Sequence, residues 1–348
     1  MSGTQLIVQK RNSDGSLQAA APYTIRGVDW SPASKTTNTT PTDPNNVNVR
    51  RPEFQNWYQT DAPLIAAVNA NTIRTYMDMG ADSSTFDSTV KPILDLLYNS
   101  GIMVILTVDD AINSTSRIQQ AVPLYKDHPA LLMWLVGDEW NNNLYFGVAP
   151  SVQDAAQRTQ NAAQLIKSLD TNHPVATSYG DIDIDANGLR LSDTSNYVNS
   201  VCPSVDVWGL QIYRGNTFGT LFSQWQSISP KPMFLAEFGA DAFASSTVLV
   251  TCPQGAVNEQ AQVDWDLSLW NDLSKNLSAQ DTSKVCLGGL VFEFEDEWWK
   301  VSPPDSQQTC GFASSGQPDG FANEEFFGIV DIDRNPRQVY SALQNAFA

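Results

Sequence analysis

Eight short apolar segments, separated by amphipathic segments, constrain the fold of this chain more than any other feature. The apolar segments are residues 24–30, 72–76, 103–108, 131–137, 174–179, 205–213, 232–239 and 287–293. Several of them are apolar throughout, which is typical of parallel strands buried on both faces. Eight such strands alternating with helices predict an α/β fold, a closed (β/α)8 TIM barrel.

The intervening segments have the spacing of amphipathic helices, and the start of the chain has a different pattern. Helices are predicted at residues 53–69, 88–100, 151–169, 258–277 and 338–347. Near the N-terminus, two short apolar segments flank Asn12-Ser13-Asp14-Gly15, which is a strong turn signal. We therefore expect a single-domain protein in which a β-hairpin, residues 1–23, packs on the N-terminal mouth of a barrel formed by residues 24–348.

Charge and composition exclude several classes of partner. The chain has 348 residues, with 38 acidic and 20 basic side chains and a formal net charge of -18. Nucleic acids and anionic membranes bind through Lys and Arg, so neither is an expected partner. The sequence has no run of about twenty apolar residues, so no membrane span is predicted. With two His and no Cys/His cluster, neither a metal site nor a cofactor is predicted.

Acidic residues follow two of the predicted strands at the point where each strand ends. Strand four ends in Asp138 and Glu139, and strand seven ends in Glu237. Functional residues of such barrels lie at the C-terminal ends of the strands, and acids next to a buried strand are costly unless the site uses them. A retaining glycosidase needs two carboxyl groups about 5 Å apart, one as nucleophile and one as acid. The pair Glu139 and Glu237 therefore predicts this chemistry.

Several segments resemble the glycoside hydrolases of clan A. Residues 128–139 resemble their strand-four signature, which ends in an Asn-Glu pair, and residues 234–239 resemble their strand-seven nucleophile segment. Residues 27–32 and 71–76 resemble the first two strands of the β-galactosidase/β-glucuronidase family and of the fungal β-1,3-glucanosyltransferases. Residues 295–300 and 327–331 are similar to the end of strand eight and the loop after it. The resemblance spans almost the whole chain, with the segments in the family's order.

The resemblance implies a retaining glycoside hydrolase or transglycosidase that acts by double displacement. Its substrate would be a β-linked glucan or a related oligosaccharide or polysaccharide. Glu139 would be the acid/base and Glu237 the nucleophile. Arg74 would keep the nucleophile ionised, because a nearby cation lowers a carboxylate pKa, and Tyr213 would donate a hydrogen bond to it.

Aromatic residues near the strand ends are candidate sugar contacts, because flat rings pack against sugar rings. The resemblance implies that Trp298 or Trp299 forms the floor of the sugar site. The remaining candidate contacts at the mouth are Asp29, Trp30, Tyr76 and Trp140. For Trp30 and Trp140, packing in the core is an equally good interpretation, and Asp29 could instead brace a loop.

One position departs from the family pattern. The Asn that precedes the acid/base is Asp138 here, and an ionised Asp accepts hydrogen bonds but does not donate them. A sugar 2-hydroxyl could donate to Asp138, the substrate could carry a 2-amino group, or the activity could be lost. The favoured hypothesis is the first, and the alternatives are a glycosidase for 2-amino sugars and a non-catalytic carbohydrate-binding barrel. A metal-dependent hydrolase is disfavoured by the scarcity of His.

The four cysteines bear on the cellular location. Cys252 and Cys310 follow strands seven and eight, whose loops are neighbours in a barrel, so a disulfide between them is predicted. A second bridge between Cys202 and Cys286 is less favoured, because strands six and eight are not adjacent. We expect a secreted, periplasmic or cell-surface protein; the alternative is a cytosolic protein with four reduced thiols.

Overall fold

A computed structural model describes residues 1–12, 14–43, 46–108, 115–182, 200–247, 249–301 and 304–348. Its central feature is a closed barrel of eight parallel strands. The strands are β1 (Ile25–Asp29), β2 (Thr72–Arg74), β3 (Met103–Thr107), β4 (Leu131–Val136), β5 (Val175–Tyr179), β6 (Val207–Gln211), β7 (Met233–Phe238) and β8 (Cys286–Val291). Each strand pairs with the next, and β8 pairs with β1. The predicted (β/α)8 fold is confirmed.

The barrel strands are mostly apolar because both of their faces are buried. In β4, Met133 and Leu135 belong to the core cluster inside the barrel, whereas Trp134 and Val136 belong to the cluster between the strands and the helices. Side chains of a strand alternate between its two faces, so β4, which has an apolar layer on each side, has no polar positions.

Helices surround the barrel. They are α1 (Asn46–Ala67), α2 (Phe86–Thr89), α3 (Lys91–Asn99), α4 (Thr115–Tyr125), α5 (Trp140–Gly147), α6 (Val152–Leu169), α7 (Leu221–Ile228), α8 (Glu259–Ser274) and α9 (Gln338–Ala346). Side-chain caps explain two of the starts: Ser151 accepts a hydrogen bond from the Asp154 amide, and Asn258 accepts one from the Ala261 amide.

One helix is longer than predicted. The sequence predicts a start at Glu53, directly after Pro52, but α1 begins at Asn46 and contains Pro52. The additional N-terminal part carries the buried side chain of Arg50, which donates a hydrogen bond to Asn46 Oδ1 at 3.2 Å. This extension brings Arg50 to the mouth of the barrel.

The N-terminal segment forms the expected hairpin. Ile7–Val8 pairs antiparallel with Ala21–Pro22. Leu6 and Tyr23 are buried in the same cluster as the interior side chains of the barrel strands. The Tyr23 hydroxyl also donates to the carbonyl of Asn71, just before β2, at 2.7 Å. These contacts are made at the N-terminal ends of the strands, opposite to the end that holds the acids.

Two small antiparallel sheets lie in the loops after β7 and β8. One pairs Phe243–Ser245 with Gly255–Val257, and the other pairs Gly311–Ala313 with Phe321–Asn323. A disulfide joins Cys252 to Cys310 and so connects the two loops, as the neighbouring positions of β7 and β8 predict. Cys202 and Cys286 are buried free thiols, so the less favoured second bridge is not formed.

In the described part of the chain, no helix combines the length and the apolar character that crossing a bilayer requires.

Candidate active site

A cavity of about 540 Å³ opens at the C-terminal ends of the barrel strands. Both acids that the sequence singled out, Glu139 and Glu237, line it. Its wall also contains charged, polar and aromatic side chains from other elements, among them Asp43, Arg50, Tyr76, Asp138, Tyr145, Phe146, Gln211, Phe292, Glu297, Trp299, Lys300 and Glu324. The closure of the barrel therefore brings residues that are distant in sequence to one site.

Glu237, in β7, is held by hydrogen bonds on both of its carboxylate oxygens. Arg74 Nη1 donates to Oε1 at 2.9 Å, and the Tyr76 hydroxyl donates to the same oxygen at 2.5 Å. The Tyr213 hydroxyl donates to Oε2 at 3.1 Å. Three donors on one buried carboxylate restrict its rotation and favour its charged form.

Arg74, the last residue of β2, is fully buried and contacts three acids. Besides Glu237, its guanidinium donates to Asp29 Oδ1 at 3.4 Å and to Asp138 Oδ1. It also stacks over the Tyr76 ring, with its Cζ atom 4.3 Å from the ring centroid. A buried guanidinium is tolerated because each of these carboxylates offsets its desolvation.

Glu139 follows β4 in a turn of unusual backbone geometry. Gly137 has φ 77°, and Glu139 itself has φ 41°, in the left-handed region that is uncommon for residues other than glycine. Strained backbone of this kind is concentrated at functional sites. The turn places Glu139 at the cavity wall immediately before α5.

The environments of the two glutamates push their pKa values upward to different extents. Burial, followed by the negative charges of Glu237 and Asp138, raises the pKa of Glu139 well above its ordinary value. Burial also raises the pKa of Glu237, but Arg74 and the Tyr76 hydroxyl act against this rise. Glu139 therefore keeps its proton to higher pH than Glu237, which is the more readily ionised of the two.

Two cations at the cavity wall were not anticipated from the sequence. Arg50 Nη2 lies 3.1 Å from Glu297 Oε1, and Lys300 Nζ lies 3.2 Å from Glu297 Oε2. Arg50 also stacks over Trp299, with Cζ 4.0 Å from the ring centroid. Lys300 stands in the same short segment as Trp298 and Trp299, which was the only sequence signal for it; Arg50 had none.

Two tryptophans predicted as candidate sugar contacts lie elsewhere. Trp30 is fully buried, packs on Phe54 and donates to Asp61 Oδ2 at 2.9 Å. Trp140 is also fully buried and donates to Thr177 Oγ1 at 2.9 Å, among other aromatic rings. The side chain that follows a strand end can point outward as readily as into the mouth, so the core interpretation holds for both.

The other predicted residues fall into two groups. Tyr76 and Trp299 line the cavity, and Tyr213 touches Glu237 directly. Asp29 lies behind the cavity as a buried partner of Arg74, so it braces the site and does not line it. Trp298 packs against a cluster of Ala33, Trp299 and Ile332 and is not among the residues that line the cavity.

Gln211, the last residue of β6, is a further site residue that the sequence analysis missed. Its Nε2 atom donates to Asp138 Oδ1 at 2.5 Å and to Ser178 Oγ at 3.0 Å. A polar residue at the end of an apolar strand is the signal that could have identified it.

Comparisons with known proteins bear on the family and the fold of the chain. Residues 96–290 match the TIM barrel domain of glycosyl hydrolases family 2. The chain is 23% identical to a 1,3-beta-glucanosyltransferase of Saccharomyces cerevisiae, GAS5, over 85% of this chain and 57% of that protein.

Solved structures show the same fold at low sequence identity. A beta-galacturonidase from Eisenbergiella tayi is 17% identical, with a TM-score of 0.58 over 99% of this chain and 53% of that one. A beta-glucuronidase from Faecalibacterium prausnitzii is also 17% identical, with a TM-score of 0.60 over 99% of this chain and 50% of that one. The chain thus spans little more than half the length of the proteins it resembles. Because the family match covers more than half of the chain, the protein belongs to glycosyl hydrolases family 2, within its TIM barrel domain.

Proposed function

We propose that this protein is a retaining glycoside hydrolase or transglycosidase that acts on β-linked glucan or a related saccharide. The observation that supports the proposal best is the pairing of two unlike carboxyl groups in one cavity. Glu237 is held by a cation and two hydroxyl donors, and Glu139 has a pKa raised well above its ordinary value. These are the properties that a nucleophile and a general acid need.

In the first step, Glu237 forms a bond to the anomeric carbon from the face opposite the leaving group. The glycosidic C–O bond breaks, its electron pair passes to the leaving oxygen, and that oxygen takes the proton of Glu139. The product is a glycosyl ester of Glu237. Arg74, Tyr76 and Tyr213 position the attacking carboxylate.

In the second step, Glu139, now ionised, takes a proton from water or from a hydroxyl group of a second saccharide. The oxygen that loses the proton attacks the anomeric carbon, and the bond to Glu237 breaks. Two inversions give net retention. Attack by water is hydrolysis, and attack by a saccharide hydroxyl is transfer.

The test combines two variants with product stereochemistry. Glu237→Gln is expected to abolish turnover, because an amide does not form the ester. Glu139→Ala is expected to slow polysaccharide cleavage severely, but to leave aryl β-glycosides with good leaving groups reactive. Azide should rescue the second variant and yield a β-glycosyl azide, and NMR should show the β-anomer as the first product of the wild type.

Asp264→Asn is a suitable control, because Asp264 is an exposed acid on α8 outside the cavity. It should behave as wild type. An α-anomer as the first product, or full activity of Glu237→Gln, would contradict the double-displacement mechanism. Saccharide binding without product formation would instead indicate a carbohydrate-binding barrel.

A further inference from the structure

We propose that a second cavity, beneath the N-terminal hairpin, binds a small molecule that carries a phosphate group. This cavity has a volume of about 520 Å³. One wall is formed by the hairpin, with Lys10 and Arg11, and the other by the end of α3 and the start of β3, with Tyr98 and Met103. It therefore lies at the N-terminal ends of the strands, opposite to the catalytic cavity, and the inference does not depend on the proposed function.

The two cations of this cavity have no carboxylate partner. No acid is among the residues that line the cavity, and neither Lys10 nor Arg11 forms a salt bridge with any residue that the structure describes. Lys10 Nζ lies 5.7 Å from the centroid of the Tyr23 ring. The Arg11 guanidinium donates to the carbonyl of Gly15 at 3.3 Å. Both side chains thus retain hydrogen-bond donors that an anion in the cavity could use.

Arg26, the second residue of β1, adds a third positive charge close to Lys10. Burial, followed by the charge of Arg26, lowers the pKa of Lys10. In the described part of the chain, the buried Nε atom of Arg26 has no hydrogen-bond partner. Apart from Arg11 and Arg26, every arginine that the structure describes forms a salt bridge with Asp or Glu.

This concentration of unpaired cations is notable because the chain is acidic overall, with a net charge of -18. Cations that repel one another and lack a counter-charge are stabilised by an anion that binds between them. A phosphate group carries close to two negative charges and several acceptor oxygens, so it offsets more of this charge than a carboxylate does. A nucleic acid or an anionic membrane would be repelled by the remaining acidic surface, whereas a small ligand is screened from it.

The backbone that carries the two cations is fixed to the barrel. The Arg11 amide donates to the Tyr98 hydroxyl at 2.6 Å, and the same hydroxyl donates to the Arg11 carbonyl at 2.9 Å. Within the hairpin, the Gln18 amide donates to the Lys10 carbonyl at 2.8 Å. A ligand in the cavity would contact the hairpin on one side and α3 on the other. Its binding should therefore protect the hairpin from local opening.

The experiment is titration calorimetry at constant ionic strength with inorganic phosphate, glucose 6-phosphate and acetate. Phosphate or its ester should bind saturably at one site with a Kd of about 1 mM or tighter, and acetate should bind at least about tenfold more weakly. Tighter binding of glucose 6-phosphate would identify an ester as the ligand, and tighter binding of phosphate would identify the free ion. Hydrogen exchange should show protection of residues 1–23 by the ligand that binds.

Two variants test the cations separately. Lys10→Met keeps an apolar side chain near Tyr23 and should weaken phosphate binding by about tenfold or more. Arg11→Gln changes an exposed side chain and should have a similar effect, so it serves if Lys10→Met does not fold. Lys275→Gln is the control, because the Lys275 side chain is 72% exposed and does not line the cavity. It should bind phosphate as wild type does.

Three results would overturn the inference. The first is the lack of saturable binding of both phosphate and glucose 6-phosphate. The second is binding that neither Lys10→Met nor Arg11→Gln weakens, or that protects α5 at the catalytic cavity and leaves residues 1–23 unchanged. The third is binding of acetate as tight as that of phosphate, which would exclude selection of a phosphate group.

Discussion

Arg74 Nη1 lies 2.9 Å from Glu237 Oε1, and the guanidinium that makes this contact is completely buried. Because the same group also pairs with Asp29 and Asp138, it compensates three acids at once. The site is therefore a charge network in which no member is independent of the others. Variants of one member should change the ionisation of the rest, as well as the geometry.

Arg74→Lys should lower activity and shift the acid limb of its pH profile. A lysine ammonium is a compact charge and does not reproduce the bidentate contact with Glu237 and Asp138. The Arg74 cation lowers the pKa of Glu237, so weakening this interaction raises that pKa and moves the acid limb of kcat/KM to higher pH. The measurement is kcat/KM for an aryl β-glycoside as a function of pH.

Arg74→Met separates charge from packing at the same position. It leaves three acids without their cation, and removal of one partner from a buried ion pair costs about 3–5 kcal/mol of stability. Chemical denaturation should show that loss, with Arg74→Lys intermediate. A variant that unfolds at the wild-type denaturant concentration would show that the acids are neutral without Arg74, and the charge network would be refuted.

Glu139→Gln should stabilise the folded protein at alkaline pH. The pKa of Glu139 is raised well above its ordinary value of 4.5 by burial and by neighbouring negative charge. Between that value and the higher folded value, the folded chain holds a proton that the unfolded chain has released, so stability falls as the pH rises. Glutamine is neutral throughout, so the variant should gain about 1 kcal/mol over wild type at pH 8.

The matching expectation is that the two proteins have nearly equal free energies of unfolding at pH 4, where Glu139 is protonated in the folded state and mostly protonated in the unfolded state. Urea denaturation at the two pH values measures the difference. A gain of the same size at pH 4 and pH 8 would mean that the pKa of Glu139 is not raised by folding.

Phe146→Ala should weaken the binding of long substrates. Phe146 is 53% exposed at the cavity wall. It lies in α5, the helix that directly follows Glu139, in a part where Leu144, Tyr145 and Phe146 have left-handed backbone. The general acid protonates the leaving oxygen, so this wall faces the leaving group. KM for an oligosaccharide should rise by about three- to tenfold, as expected for one aromatic contact, while a small aryl glycoside should be unaffected.

Phe312→Ala is the matched control for that prediction, because Phe312 is 57% exposed in the small sheet after β8 and does not line the cavity. It should leave both KM values unchanged. An equal effect of Phe146→Ala on the oligosaccharide and the aryl glycoside would place Phe146 outside the leaving-group site.

Removal of the disulfide between Cys252 and Cys310 should lower the stability of the protein, whether by substitution or by reduction. Cys252 and Cys310 are separated by 58 residues, and a cross-link of that span stabilises by about 2–4 kcal/mol. The double variant Cys252→Ser/Cys310→Ser should lose this amount in chemical denaturation. A reducing agent should destabilise wild type but not the double variant; equal effects on both would point to the free thiols Cys202 and Cys286.

Local sequence was sufficient for the strand positions and for the acids. β1 to β8 each overlap a predicted segment because a strand buried on both faces is largely apolar, and such a segment is visible without knowledge of its neighbours. Glu139 and Glu237 were identified for the same reason, since a charged residue at the end of a buried strand is costly and therefore informative.

The tertiary structure decided which of the remaining residues reach the cavity. Arg50 and Lys300 meet at Glu297 although they are far apart in sequence, and Trp30 and Trp140 turn into the core although they stand beside mouth residues. The first outcome depends on how far α1 extends toward the mouth of the barrel. The second depends on the direction of a side chain after its strand has ended, where periodicity no longer applies. That direction is set by packing between elements that only the closed barrel brings together.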